Sequence, residues 1–288
     1  MRVLHLDKIG QARPLAIALG YFDGGHLGHA TLLRQTVSAA EHFGCESAVF
    51  TFSSLPTKSG LPLFSEEDRL AFFEKAGIET VILAFFDDLR TLSPDAFVSS
   101  VLMERCHARL ALCGFNFRFG YRAAGDSALL LKLLPDSIVL PPELYENAPI
   151  SSTRIKEALL LGNTRAAQDM LGHPYTVSGR VMHGRALGRS LGFPTANMIP
   201  ETLLPRYGVY RTEVTLDGKC YKGLTNVGVR PTVGGKSGAR TETFIQGFSG
   251  DIYEKKLTIS FLSFLREERR FASLEELKAQ ISLDLENM

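Results

Sequence analysis

The hydrophobic pattern of this chain changes character once, between residues 157 and 174, and that change constrains the fold more than any other feature. Before it, short apolar runs at 15–19, 47–52, 80–85, 110–114 and 137–140 alternate with stretches of helical period. After it, runs at 175–181, 209–216, 220–226, 241–248 and 257–265 follow one another with turn signals between them, and Asp217-Gly218 marks a tight hairpin. Strands that alternate with helices predict a parallel sheet covered on both faces, whereas consecutive hairpins predict a small antiparallel barrel. The fold class is therefore α/β plus β: a first domain over residues 1–157, a helical linker over 158–174 and a second domain over 175–288.

Helix signals agree with this division. Ser65-Glu66-Glu67-Asp68 is a capping-box-like start for a helix that stops at Gly77, and Ser93-Pro94-Asp95 places a cap before a proline at the first helical position. One helix is expected over 153–171, ended by Gly172-His173-Pro174, and a capped helix from Ser273 closes the chain.

With 32 basic and 31 acidic side chains in 288 residues, the net charge is +1. No global field exists to draw in nucleic acid or an anionic membrane, so neither is an expected partner and any polyanion site is local. The cysteines Cys45, Cys106, Cys113 and Cys220 have no paired spacing, which fits a reducing compartment. Charges interrupt the N-terminal apolar pieces, and no apolar run approaches a membrane span. The expectation is a cytoplasmic protein; its oligomeric state is not legible. His5, His42, His107 and His173 form no ligand spacing, and no zinc is expected.

The string Gly20-Tyr21-Phe22-Asp23-Gly24-Gly25-His26-Leu27-Gly28-His29 follows the first expected strand and opens the first helix. In a parallel sheet, ligands gather at the carboxyl ends of strands, where helix N-termini supply unpaired amides and positive dipole. His26 and His29 lie three apart at that end, with Gly28 between them to let a phosphate near the backbone. Neighbouring histidines there can donate to nucleotide phosphates and to charge that develops during transfer.

This string resembles the HxGH signature of the nucleotidyltransferase superfamily. Its flanks are similar to the adenylyltransferase half of bacterial bifunctional riboflavin kinase/FAD synthetases. Gly114-Phe115-Asn116-Phe117-Arg118-Phe119-Gly120, followed by Gly125-Asp126, looks like that family's second motif, and Ile150-Ser151-Ser152-Thr153-Arg154-Ile155-Lys156 looks like its ISSTxIR. The resemblance implies a Rossmann-like nucleotidyltransferase domain. It implies His26 and His29 as catalytic groups, with Gly20, Phe22, Asp23, Gly28, Asn116, Ser152, Thr153, Arg154 and Lys156 as binding residues for ATP and flavin. Three positions depart from the pattern. Lys156 replaces an arginine and cannot make its bidentate fork, Ser53-Ser54-Leu55-Pro56 replaces an acid-or-amide, Pro, His, Pro run, and Tyr21 stands where asparagine is common.

In the second half, residues 179–197 hold Gly179, Gly184, Gly188 and Gly192 together with Arg180, Arg185 and Arg189, a backbone able to wrap a nucleotide and charge to hold it. They end in Pro194-Thr195-Ala196-Asn197, which resembles the PTAN motif of riboflavin kinases. By that resemblance Thr195 and Asn197 ligate Mg2+, and Gly184, Arg185, Gly188, Arg189, Gly192 and Arg266 contact nucleotide or flavin. Two oxygens plus phosphates suit Mg2+, which keeps several waters. Residues 226–232 and Arg240-Thr241-Glu242-Thr243 look like later motifs of the family, with Glu242 as the base that takes the ribityl proton. Together these resemblances imply an ATP- and Mg2+-dependent enzyme that converts riboflavin to FMN and FMN to FAD, with small molecules as its partners. They imply that the second domain is a riboflavin-kinase-type barrel with a closing helix. The alternative is a riboflavin kinase whose first domain is degenerate or altered in specificity.

Overall fold

The computed structural model describes residues 1–10, 13–53, 60–183, 193–229 and 238–286. The chain forms two compact units, Met1–Gly60 with Phe64–Ile150 and Leu61–Leu63 with Ser151–Met288.

The first unit runs β1 (Arg2–His5), β2 (Leu15–Leu19), α1 (Leu27–Phe43), β3 (Glu46–Phe52), α2 (Glu66–Lys75), β4 (Thr80–Ala84), α3 (Phe86–Leu89) and α4 (Pro94–Ala96). A π-helical stretch (Phe97–Arg105) leads to β5 (Ala108–Gly114), followed by β6 (Arg118–Phe119), β7 (Gly125–Asp126), α5 (Ser127–Leu133), β8 (Ile138–Leu140), β9 (Leu144–Tyr145) and β10 (Ala148–Pro149). Six strands form one parallel sheet in the order β1-β4-β3-β2-β5-β8. β2 reads as an unbroken apolar run because both its faces are covered. Leu15, Ile17 and Leu19 pack into one core layer, and Ala16 and Ala18 into the other. The sequence reading lacked β1, which pairs with β4 at the edge, where Arg2 and the Thr80 hydroxyl both bind Glu46.

The second unit comprises α6 (Ser152–Leu160), α7 (Thr164–Leu171), β11 (Tyr175–Arg180), β12 (Thr195–Met198), β13 (Gly208–Leu216), β14 (Lys219–Val229), β15 (Ala239–Ile245), β16 (Lys256–Arg266) and α8 (Leu274–Glu286). The single helix expected over 153–171 is two helices. Gly162 at φ 78° ends the first, and the Asn163 side chain caps the second by accepting the Ala166 N–H at 3.0 Å. Both helices belong to the second unit, and the Thr164 hydroxyl donates to Leu262 O at 3.0 Å. The strands form an antiparallel sheet in the order β11-β16-β13-β14-β15-β12. Just beyond β11, Met182 N–H donates to Asn197 O at 2.8 Å and joins the two edges into a barrel. β12 itself, which carries Thr195 and Asn197, was not expected as a strand.

Inside this barrel the hydroxyls of Thr212, Thr225 and Thr243 form a chain across three strands, at 2.9 and 3.0 Å, and all three residues are buried. Thr225 is the middle member. Thr225→Val keeps its shape but strands two buried hydroxyls, so we expect urea denaturation to report a loss of about 1–3 kcal/mol. Unchanged stability would show that the chain contributes nothing.

Candidate active site

The segment between β2 and α1 is bent by three positive-φ residues, Phe22 (63°), Gly24 (83°) and Gly25 (55°). A left-handed phenylalanine is costly, and burial holds it there: its ring is 1% exposed and packs against His29 and Phe73, each 5.2 Å away between centroids. Asp23 is buried and its Oδ1 accepts the Phe64 N–H at 3.1 Å. These two residues shape the loop from within.

His26 is the N-cap of α1: its Nδ1 accepts the His29 N–H at 3.3 Å, which leaves the ring proton on Nε2. The two imidazoles stack at 3.6 Å and 16°. A Cβ on Gly28 would meet the His26 ring at 3.3 Å, so the glycine makes room for this ring. His29 Nδ1 is buried without a hydrogen-bond partner. Burial lowers the His26 pKa to about 4, with Asp23 opposing, and burial together with His26 pulls His29 well below its ordinary value. Both rings are thus neutral donors at pH 7.

This has a signed consequence for stability. The unfolded chain takes up protons from about pH 6.5 downward, whereas the folded His26 ring refuses them until about pH 4 and His29 is held well below its ordinary range, so stability falls as pH drops below about 6.5. We expect melting of the parent protein at pH 7.5 and 5.0 to differ more than melting of His29→Gln. Equal differences would refute the assignment.

Gly20 and Asn116 share a cavity of about 810 Å³ at the carboxyl ends of the central strands. Tyr21, Phe50, Phe52, Phe86, Phe97, Phe117 and Phe119 give it an aromatic lining, and Arg90, Arg118 and Arg122 add positive charge. Ser152, Thr153, Arg154 and Lys156 lie on the first two turns of α6, in the second unit, where the Ser151 hydroxyl accepts the Arg154 N–H at 3.3 Å.

In the barrel, strand register builds a row. Asn197 on β12 pairs with Glu242 on β15, which pairs in turn with Asn226 on β14. Thr195, two residues before Asn197, points to the same face because side chains alternate along a strand. Asn197 Nδ2 donates to Thr195 O at 3.5 Å and keeps its carbonyl oxygen as an acceptor. Two cavities meet here. One, of about 260 Å³, is lined by Phe193, Thr195, Asn226, Glu242, Phe244, Arg266, Glu268, Phe271 and residues of α8. The other, of about 310 Å³, is lined by Thr195 with Pro194, Phe248, Asp251 and Tyr253. Thr195 belongs to both.

Arg266 faces the first of these cavities, but its guanidinium is engaged: Nε and Nη2 donate to Asp284 at 2.7–3.0 Å, and Nη1 to Glu267 O at 3.1 Å. Asp284, 5% exposed, also accepts from Gln280 at 2.8 Å, so the pair fixes α8 as a wall of the cavity. Gly184, Arg185, Gly188, Arg189 and Gly192 lie outside the described residues, as does Ser54. Sequence reasoning missed Asp284, Glu268 and the buried Arg69. None of the three carries a local sequence signal, since their partners lie far along the chain.

Fold and site together define a two-domain transferase of nucleotide chemistry, one domain an α/β unit with a helix N-terminus and paired histidines, the other a barrel with a Thr/Asn/Glu row. Residues 8–154 match the family model described as FAD synthetase, and residues 171–288 the one described as riboflavin kinase. The chain belongs to the family of bifunctional riboflavin kinase/FMN adenylyltransferases. It is 36% identical over 285 residues to the member from Pseudomonas fluorescens, across 95% of this chain and 91% of that one. It is 34% identical to the member from Escherichia coli K12, across 93% and 90%, and 32% identical to the one from Bacillus subtilis, across 97% and 93%. A crystal structure from Streptococcus pneumoniae described as a macrolide-efflux protein is 30% identical, with a TM-score of 0.89 over 99% of this chain and 98% of that one. No described helix is long and apolar enough to cross a membrane.

Proposed function

We propose that the barrel transfers the γ-phosphoryl of ATP to the terminal ribityl hydroxyl of riboflavin, and that the N-terminal domain then joins the FMN phosphate to the α-phosphorus of ATP and releases pyrophosphate. The observation that carries the kinase reading is the Asn197–Glu242–Asn226 row with Thr195 at the meeting of two cavities. The cavity under α8 has the aromatic lining a flavin needs, and the other would take the nucleotide. Glu242 accepts the ribityl proton as the oxygen attacks in line. Thr195 and Asn197 offer neutral oxygens on one face beside a carboxylate, a donor set that fits Mg2+. When bound, that ion would neutralise charge on the ATP phosphates.

For adenylyl transfer the nucleophile is already an anion and needs no base, so placement and charge neutralisation carry the rate. His26, through Nε2–H, and His29 donate to the phosphates at the N-terminus of α1. Flavin takes the aromatic cavity that contains Gly20 and Asn116. Lys156 and Arg154 supply point charges on α6. We further assign the adenylyltransferase to residues 1–157 and the kinase to 175–288, in a cytoplasmic setting with small-molecule substrates only. The efflux name of the pneumococcal relative is not carried over, because each half of this chain matches a flavin-nucleotide family. Incubation of the protein with riboflavin, ATP and Mg2+, followed by chromatography, tests both steps. FMN and FAD are expected; FMN alone would leave only the kinase.

A further inference from the structure

Arg69 is the largest fully buried side chain in the described structure, 2% exposed, on the inward face of α2. Its Nη1 donates to Tyr21 O at 3.1 Å and Thr51 Oγ1 at 3.3 Å; its Nη2 donates to Phe52 O at 2.9 Å and Ser53 O at 3.5 Å. The guanidinium also lies 4.4 Å from the centre of the Tyr21 ring. One cation thus holds the start of the histidine loop to the carboxyl end of β3. Its nearest acid, Glu66, is 3.9 Å away and half exposed, and the buried Asp23 also acts on it electrostatically. Burial lowers the Arg69 pKa, with Tyr21, Glu66 and Asp23 opposing.

Two further atoms show what this arrangement is for. Ser53 Oγ, at the end of β3 that Arg69 holds, and His29 Nδ1, in the first turn of α1 after the histidine loop, are both buried and without a hydrogen-bond partner among the described residues. Buried polar atoms without partners are uncommon, and a group that binds beside them is one way to complete them. Tyr21 and Phe52, which Arg69 also holds, are walls of the 810 Å³ cavity.

We propose that Arg69 is a positioning residue of the adenylylation site, which fixes the histidine loop and the flavin-cavity wall as one piece and adds a fixed positive charge beside them. The inference rests on the reading of the first unit as an adenylyltransferase. It explains why arginine serves here: a neutral donor could bind two of these oxygens, but only the forked cation spans four groups on two segments. A nucleoside triphosphate and a phosphate monoester repel each other as they meet, and a fixed buried charge offsets that repulsion without reorganisation.

The test uses the full chain, with riboflavin phosphorylation as the internal control for folding. Arg69→Met should lower kcat/KM for FMN adenylylation by about 100-fold and raise KM for ATP, while the kinase rate stays within about two-fold. Arg69→Lys keeps the charge but reaches fewer oxygens, so KM for ATP should return towards the parent value while kcat stays down by about ten-fold. This split is the signature of positioning. Parent-like constants in both folded variants overturn the proposal. If Arg69→Met loses its cooperative melt, Arg69→Lys decides alone, and parent-like kcat there overturns it. A parent chain that binds ATP but makes no FAD overturns the adenylyltransferase reading instead; Arg69 is then judged by ATP titration, where Arg69→Met must weaken binding and unchanged binding overturns the proposal.

Discussion

Glu242→Gln should leave the protein folded and able to convert supplied FMN to FAD, and should lower riboflavin phosphorylation by about two to four orders of magnitude. The expectation follows from the strand register. Glu242 sits between Asn197 and Asn226 on neighbouring strands, on the wall of the cavity assigned to flavin. Glutamine keeps the size and the hydrogen bonding of the row but takes no proton. Riboflavin and Mg-ATP binding should change little, since Thr195 and Asn197 are untouched. Near-normal turnover in the folded variant would sink the assignment. Glu268 would then be the first candidate, because it shares the cavity and its Oε1 accepts from Asn226 Nδ2 at 2.9 Å. Asp251 would not: it lines the other cavity, and its carboxylate accepts the Tyr253 N–H at 3.0 Å.

The second large effect is in the other domain. His29→Ala should reduce FAD formation from FMN by about 100-fold or more and spare the kinase, because it removes one preorganised donor from the developing charge. The stacking at 3.6 Å adds a second loss, since the His26 ring loses the surface that holds its orientation. FAD output equal to the parent would remove the histidine assignment. Loss of both activities would signal an unfolded chain, which a melting curve identifies.

Local chemistry made most of this architecture readable before any coordinates. The apolar run of β2 and the hairpin at Asp217-Gly218 are signals contained in a few residues, and so are the caps at Ser65 and Ser93. What stayed hidden depends on partners far along the chain. β1 is four residues of mixed polarity whose strand character comes from pairing with β4, about 78 positions away. Arg69 reads as an ordinary helical arginine, since its acceptors lie 16 to 48 residues upstream. Asp284 looks like a solvated carboxylate on a terminal helix until Arg266 is seen against it. The histidine and PTAN strings were legible as chemistry, but their supports were not. Phe22, expected as a binding residue, also packs in the core, and Asp23, expected likewise, also holds the backbone of Phe64; neither support was readable from the string.

The meeting of two barrel cavities at Thr195 bears on the order of events. Among the described residues their linings have no other member in common, so an occupant of one does not fill the other. If flavin and nucleotide take these two cavities as proposed, both substrates are on the protein together when the phosphoryl group moves, and it passes directly between them. Double-reciprocal plots of initial rate against riboflavin at several ATP concentrations should therefore intersect; parallel lines would mark a stepwise exchange. By the same geometry, compounds that block the two cavities should not exclude one another, and a molecule bridged across Thr195 would gain from both.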